Sequence, residues 1–202
     1  DLLWMRQSGM EAKILQHAAK GKIVFGICGG YQMLGETIQD PEGMEHKGQV
    51  RGMGLLPINT VFQKQKTRTR VVGNFGKVDG ILKSLTGVAV EGYEIHMGIT
   101  EIMGNGVHLS RIENTTGTIE NNTQKRKLDG AQKGNVYGSY IHGIFDARDV
   151  AKQIVATLLQ EKGCDPEGVK AFEMKEYKET QYDALADVIR ASLDMEKVYD
   201  IV

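Results

Sequence analysis

The stretch Lys22-Ile23-Val24-Phe25-Gly26-Ile27-Cys28-Gly29-Gly30-Tyr31-Gln32-Met33-Leu34-Gly35 constrains the fold more than any other part of the chain. Lys22 to Ile27 is a short β-branched and aromatic run, the pattern of a strand covered on both faces. Gly26, Gly29 and Gly30 crowd the segment that follows with residues that tolerate positive φ and close backbone approach. From Tyr31 to Glu36 the pattern returns to helical spacing. A strand turning sharply into a helix lifts Cys28 out of the sheet and aims the first helical amides at it. These are the mechanics of a nucleophile elbow, with sulfur in place of oxygen. The helix N-terminus is expected to favour the thiolate and an oxyanion formed beside it. The competing reading is a core cysteine closing a buried strand, since free cysteine is among the most buried residue types.

A second segment bears on that choice. Asn135 to Asp146 is another strand-like run, with His142 at its C-terminal end and Gly143 directly after. Reactive groups of parallel α/β sheets collect at the carboxyl ends of strands, so Cys28 and His142 can meet although distant in sequence. A thiol beside an imidazole is the minimal nucleophile and base for acyl transfer through a thioester. A histidine taken alone is more often structural.

The motif Gly26-Ile27-Cys28-Gly29-Gly30-Tyr31-Gln32 resembles the nucleophile motif of class I glutamine amidotransferases, G-x-C-x-G-x-Q. Glu91-Gly92-Tyr93-Glu94-Ile95-His96-Met97-Gly98, the run Tyr137 to Asp146 and the opening Asp1 to Arg6 resemble one branch, the glutaminase domains of cobyric acid synthases. The resemblance implies a flavodoxin-like α/β domain, a mostly parallel sheet flanked by helices, filling residues 1–202. It also implies that Cys28 and His142 are catalytic, that the Gly29 amide serves the oxyanion, and that Gln32, Glu94 and His96 line the glutamine pocket. No cofactor is expected in the domain itself. ATP and magnesium, with the corrinoid adenosylcobyrinic acid a,c-diamide, are expected on an N-terminal amidoligase domain. No G-x-x-x-x-G-K-[ST] loop is present, and the chain reads as the C-terminal piece of a longer polypeptide. Glutaminases of related amidoligases, acting on cobyrinic acid or on lipid-linked peptidoglycan precursor, are the nearest rivals. A non-catalytic docking module of the same fold is a further alternative.

The chain departs from the class pattern at several points. Ile144 stands where many class members carry a glutamate that orients the histidine, which leaves a Cys28–His142 dyad. Asp146 could replace that acid, although a surface or helix-capping role fits it better. Tyr31 stands where the motif commonly has histidine. The family's second oxyanion donor comes from a loop expected to lie before Asp1.

Glu94 and His96, two apart on a strand, share one face. Read as metal ligands they lack a third partner, so no metal is expected. His17, His46 and His108 read as surface residues, and Cys164 as structural. A net charge of −1 gives no reason to expect nucleic acid or an anionic membrane surface. Apolar runs are too short to span a bilayer, and two cysteines make no disulfide framework, which fits a reducing cytoplasm. Helices are expected over Ser8 to Lys20, Arg148 to Lys162 and Asp183 to Val198, and a polar loop over Gln39 to Arg51. Strands are expected near Gly54 to Phe62, Thr67 to Gly73, Val88 to Met97 and Val107 to Ile112. Asn114 to Gly134 reads as a loop or hairpin, with a docking surface for the partner domain as the alternative.

Overall fold

In the computed structural model, residues 1–115, 126–168 and 174–201 are described. Two short helices, α1 (Leu2–Gln7) and α2 (Met10–Ala19), precede strand β1 (Val24–Ile27). Cys28 then caps helix α3 (Gly29–Met33), and β2 (Thr37–Asp40), β3 (Gly48–Arg51) and β4 (Ile58–Phe75) follow. A 3-10 turn at Ile81–Leu85 leads to β5 (Ala89–Ile102) and β6 (Ser110–Asn114). The remaining strands are β7 (Lys127–Asp129), β8 (Ala131–Lys133), β9 (Val136–Ser139) and β10 (Ile141–His142), before helices α4 (Arg148–Glu161), α5 (Met174–Ser192) and α6 (Met195–Ile201).

The architecture is α/β, as expected, and its sheets are mixed. One sheet runs β1-β9-β8; the other runs β10-β5-β4-β2-β3, with β6 paired to β4 and β7 to β6. Parallel pairing occurs at β1–β9 and β2–β4, and the other described ladders are antiparallel. The expectation of a mostly parallel sheet therefore holds only around the elbow. Parallel neighbours need a crossover of a dozen or more residues, usually a helix. Residues 76–88 between β4 and β5 hold a 3-10 turn and no α-helix, and the two strands return as antiparallel partners.

Strand β9 sits between two apolar clusters. Its Tyr137 packs with Val71, Leu82, Leu109, Ile141 and Ile144, while the preceding Val136 packs with Tyr31, Leu34, Ile58 and Tyr140. Successive strand residues face opposite ways, so one strand anchors both clusters. Phe25 and Ile27 of β1 join the first cluster and Val24 the second, which gives β1 its two covered faces. Helix α3 presses on this pair closely enough to require glycine. A Cβ at Gly26 would stand 2.7 Å from the Gly30 carbonyl carbon, and one at Gly138 would fall on the Tyr31 ring.

Some elements differ from the sequence expectation. Gln39 to Arg51, expected as loop, contains β3 and the end of β2, which pair antiparallel through Ile38 and Val50. The two strands expected between Gly54 and Gly73 form one strand, β4, whose register against β5 shifts between Phe62 and Thr67. The last expected helix is split into α5 and α6. Residues 116–125, within the segment read as loop or hairpin, lie outside the described residues; β7 and β8 occupy part of the remainder. No helix among the described residues is long and apolar enough to cross a membrane.

Candidate active site around Cys28 and His142

Cys28 occupies the junction between β1 and α3 with φ 53° and ψ −113°, the one non-glycine residue with positive φ among those described. Such backbone is strained for a residue with a Cβ and persists only where surrounding contacts fix it. The contacts are visible. Cys28 N–H donates to the Ser139 carbonyl at 2.9 Å, Gln32 N–H donates to the Cys28 carbonyl at 3.1 Å, and Sγ lies 3.5 Å from the Ile95 carbonyl. Burial pushes the thiol above its ordinary range, the Gly29 amide pulls it back, and the charge of Glu45 pushes it up again. The helix start was expected to favour the thiolate. It acts in that direction, but α3 is only five residues long and burial wins, so the resting group is a thiol that needs a base.

His142 lies on β10, paired with Tyr93 of β5, while Ile141 pairs with Glu94. Its Nε2 is buried without a hydrogen-bond partner. The same strand, β5, thus borders both groups: Ile95 meets the Cys28 thiol and Tyr93 flanks His142. The thiol donates to Ile95 rather than to the imidazole. On its outer side His142 opens on a cleft of about 500 Å³, which Arg70, Glu91 and Lys178 also line. Ile144 is fully buried in the core, so the position two beyond the histidine contributes packing and no polar contact. Asp146 is exposed and pairs with Lys178 Nζ at 2.6 Å. It takes the surface role, and α4 is capped at Ala147 with no side-chain bond.

Gln32 is buried rather than exposed, and its Nε2 donates to the Tyr140 hydroxyl at 3.1 Å. That hydroxyl also bonds Thr100 Oγ1 at 2.5 Å, which in turn meets Thr60 Oγ1 at 2.7 Å. The His96 ring stacks on Tyr140 with centroids 3.7 Å apart, and its Nδ1 donates to the Gly98 carbonyl at 2.8 Å. A carbonyl can only accept, so Nδ1 carries a proton, and Nε2 faces Glu94 Oε1 at 3.7 Å. Glu94 is 2 % exposed, and Lys127 Nζ lies 2.5 Å from Oε2 in an ion pair rather than an aligned hydrogen bond. Burial raises this carboxyl, but His96 and Lys127 outweigh it and hold the group below its usual range.

Sequence reasoning missed Tyr140, Thr60, Thr100, Lys127 and Asp129. Glu94 is buried, and a buried carboxylate needs a compensating cation. Lys127 supplies it from a run that reads as loop. Among the other histidines, His17 and His46 are exposed, but His108 is half-buried with Nδ1 against the Gly130 carbonyl. Cys164 is exposed.

Residues 1–150 match the family described as CobB/CobQ-like glutamine amidotransferase domains. The chain is 52% identical over 202 residues to a cobyric acid synthase of Ruminiclostridium cellulolyticum, covering all of this chain and 38% of that protein. It is 45% identical to one of Lachnoclostridium phytofermentans, covering 40% of it, and 41% identical to one of Caldanaerobacter subterraneus, covering 39%. The chain thus spans about two-fifths of the length of these relatives. Among solved structures, PurLQS from Thermotoga maritima matches at 15% identity with a TM-score of 0.47, over 76% of this chain and 68% of that one. A crystal structure of a glutamine amidotransferase matches at 15% identity and a TM-score of 0.43, over 79% and 71%. By its sequence over residues 1–150, which hold both Cys28 and His142, the chain belongs to the CobB/CobQ-like glutamine amidotransferase domain family.

Proposed function

We propose that the chain hydrolyses glutamine to glutamate and ammonia through a Cys28 thioester. The Cys28 thiol proton passes to His142 Nε2 as the thiolate attacks the side-chain amide carbon of glutamine. Charge developing on the amide oxygen is met by the Gly29 N–H, a kind of contact worth about 2.7–4 kcal/mol in other enzymes. His142 returns the proton to the departing nitrogen, and ammonia leaves. It then takes a proton from water as the hydroxyl adds to the thioester, which releases glutamate and restores the thiol. Gln32, Glu94 and His96 hold the substrate.

The observation that carries this reading is the strained Cys28 backbone at a strand-to-helix turn, together with a His142 Nε2 that is buried without a hydrogen-bond partner on the strand paired with β5. A purely structural cysteine would gain nothing from the strain.

The relatives' names extend the proposal. Ammonia made here serves an ATP-dependent amidation of adenosylcobyrinic acid a,c-diamide to cobyric acid in the cytoplasm. ATP, magnesium and the corrinoid are held by an N-terminal amidoligase domain of the same polypeptide, and this glutaminase domain needs no cofactor of its own. The test is mass spectrometry after exposure to 6-diazo-5-oxo-norleucine. A single adduct on Cys28, suppressed by excess glutamine, supports the reading. No adduct on folded protein, with or without the amidoligase domain, overturns it.

A further inference from the structure

Asp129, at the end of β7, is 5 % exposed, and the groups bonded to it are all donors. Oδ2 accepts from Ser139 Oγ at 2.6 Å and from Ser110 Oγ at 3.2 Å, and Oδ1 accepts from Tyr140 N–H at 3.1 Å. Ser139 is more than a ligand of this carboxylate. Its Oγ accepts the Ile141 N–H at 3.0 Å and gives its one proton to Asp129 Oδ2. Its carbonyl accepts the Cys28 N–H at 2.9 Å.

These bonds converge on Ser139-Tyr140-Ile141, where the chain leaves β9, paired with β1, and enters β10, paired with β5. Tyr140 belongs to neither strand, so its amide has no ladder partner and Asp129 supplies one. The junction fixes both ends of the site. Upstream it holds the backbone of Cys28; downstream, one residue past Ile141, it sets where His142 begins.

We propose that Asp129 is a positioning residue that sets the placement of His142 relative to Cys28, an inference that rests on reading those two as base and nucleophile. It touches neither the thiol nor the imidazole. A carboxylate is needed because three donors point at it. An asparagine that kept its oxygen on the Tyr140 N–H would turn an N–H₂ toward the two hydroxyls, and the Ser139 and Ser110 protons would lose their acceptor. The charged neighbour facing it is Glu94 of β5, whose own charge is met by Lys127 and His96.

The test measures the rate of Cys28 labelling by 6-diazo-5-oxo-norleucine against pH in the wild type and in Asp129→Asn, Ser139→Ala and Ser110→Ala. Misplacement of reacting groups by about 1 Å costs about 100-fold, so Asp129→Asn and Ser139→Ala are expected to label about 10- to 100-fold more slowly. Their half-saturating concentration of the reagent should not change. Their pH profile should also alter. The variants, with no base placed to take the thiol proton, should depend on pH more steeply than the wild type, following the raised ionisation of the thiol itself. Ser110→Ala removes a bond to the same oxygen but does not reach the junction, and it should keep the wild-type rate and profile. If Asp129→Asn fails to fold, Ser139→Ala decides. Wild-type rate and profile in the junction variants, or equal slowing in Ser110→Ala, overturns the positioning role while leaving the glutaminase reading intact. Absence of any Cys28 adduct in the wild type overturns both.

Discussion

Gly138→Ala should damage the site from a position that touches neither Cys28 nor His142. The new Cβ would lie 2.9 Å from Tyr31 Cε2 and 3.0 Å from Cγ, and closer still to Cδ2. The ring has nowhere to go, because Tyr31 is 2 % exposed and stands edge-on to Tyr140 with centroids 5.2 Å apart. Overpacking of this kind costs about 1–3 kcal/mol, which for a chain of 202 residues lowers Tm by about 2–4 °C per kcal/mol. Tyr31→Ala alone should cost about 3–5 kcal/mol, the usual range for emptying a large aromatic site. The double variant is the informative one. With the ring gone the methyl has room, so the pair should cost about as much as Tyr31→Ala alone and show a coupling of about 1–3 kcal/mol. Thermal and denaturant unfolding of the four proteins measures that coupling directly. Strict additivity would refute the argument, since it would mean that the methyl and the ring do not compete for the same space. Tyr31 lies on α3 just beyond Cys28, so the single variant should also slow labelling of the thiol.

Two further outcomes follow from the charges. Glu94 has a lowered folded-state ionisation, so its contribution to stability is present above the ordinary value of 4.5 and lost as pH falls through the lower folded value. The gap in Tm between wild type and Glu94→Gln should therefore be widest near neutrality and close on acidification; a gap independent of pH would count against the ion pairing. Burial raises the Cys28 thiol while Cys164 is exposed, so iodoacetamide at pH 7 should modify Cys164 first. The glutamine-like diazo ketone should reverse that order, and peptide mapping of the two adducts distinguishes the cases.

Local chemistry could be read from the sequence; long-range pairing could not. The glycines around Cys28 announced a tight turn because few other residues tolerate it, and Arg148 to Lys162 marked α4 to within one residue. Glu94 and His96 were placed on one strand face by period alone. Strand β4 was read as two strands because Gln63-Lys64-Gln65-Lys66 is polar, and it is there that the register against β5 slips. Antiparallel return of β4 and β5 goes with a connection that holds no α-helix, and its ends were not known. Asp129 was unrecognisable because Asp129-Gly130 reads as a turn signal, while its partners Ser110 and Ser139 lie 19 and 10 positions away.

The parallel ladder of β1 and β9 has a consequence for how the molecule comes into being. Asn135 donates to the Gly21 carbonyl across 114 positions, and Gln32 meets Tyr140 across 108. Contacts of such separation form late, because the entropy of closing the loop must be met before they contribute anything. The twist at Cys28 and the arrival of His142 both depend on that closure. Thiol reactivity should accordingly appear at the end of refolding, after helical signal and most burial are complete. A chain caught partway would carry its cysteine in an ordinary, unstrained backbone, without a base beside it.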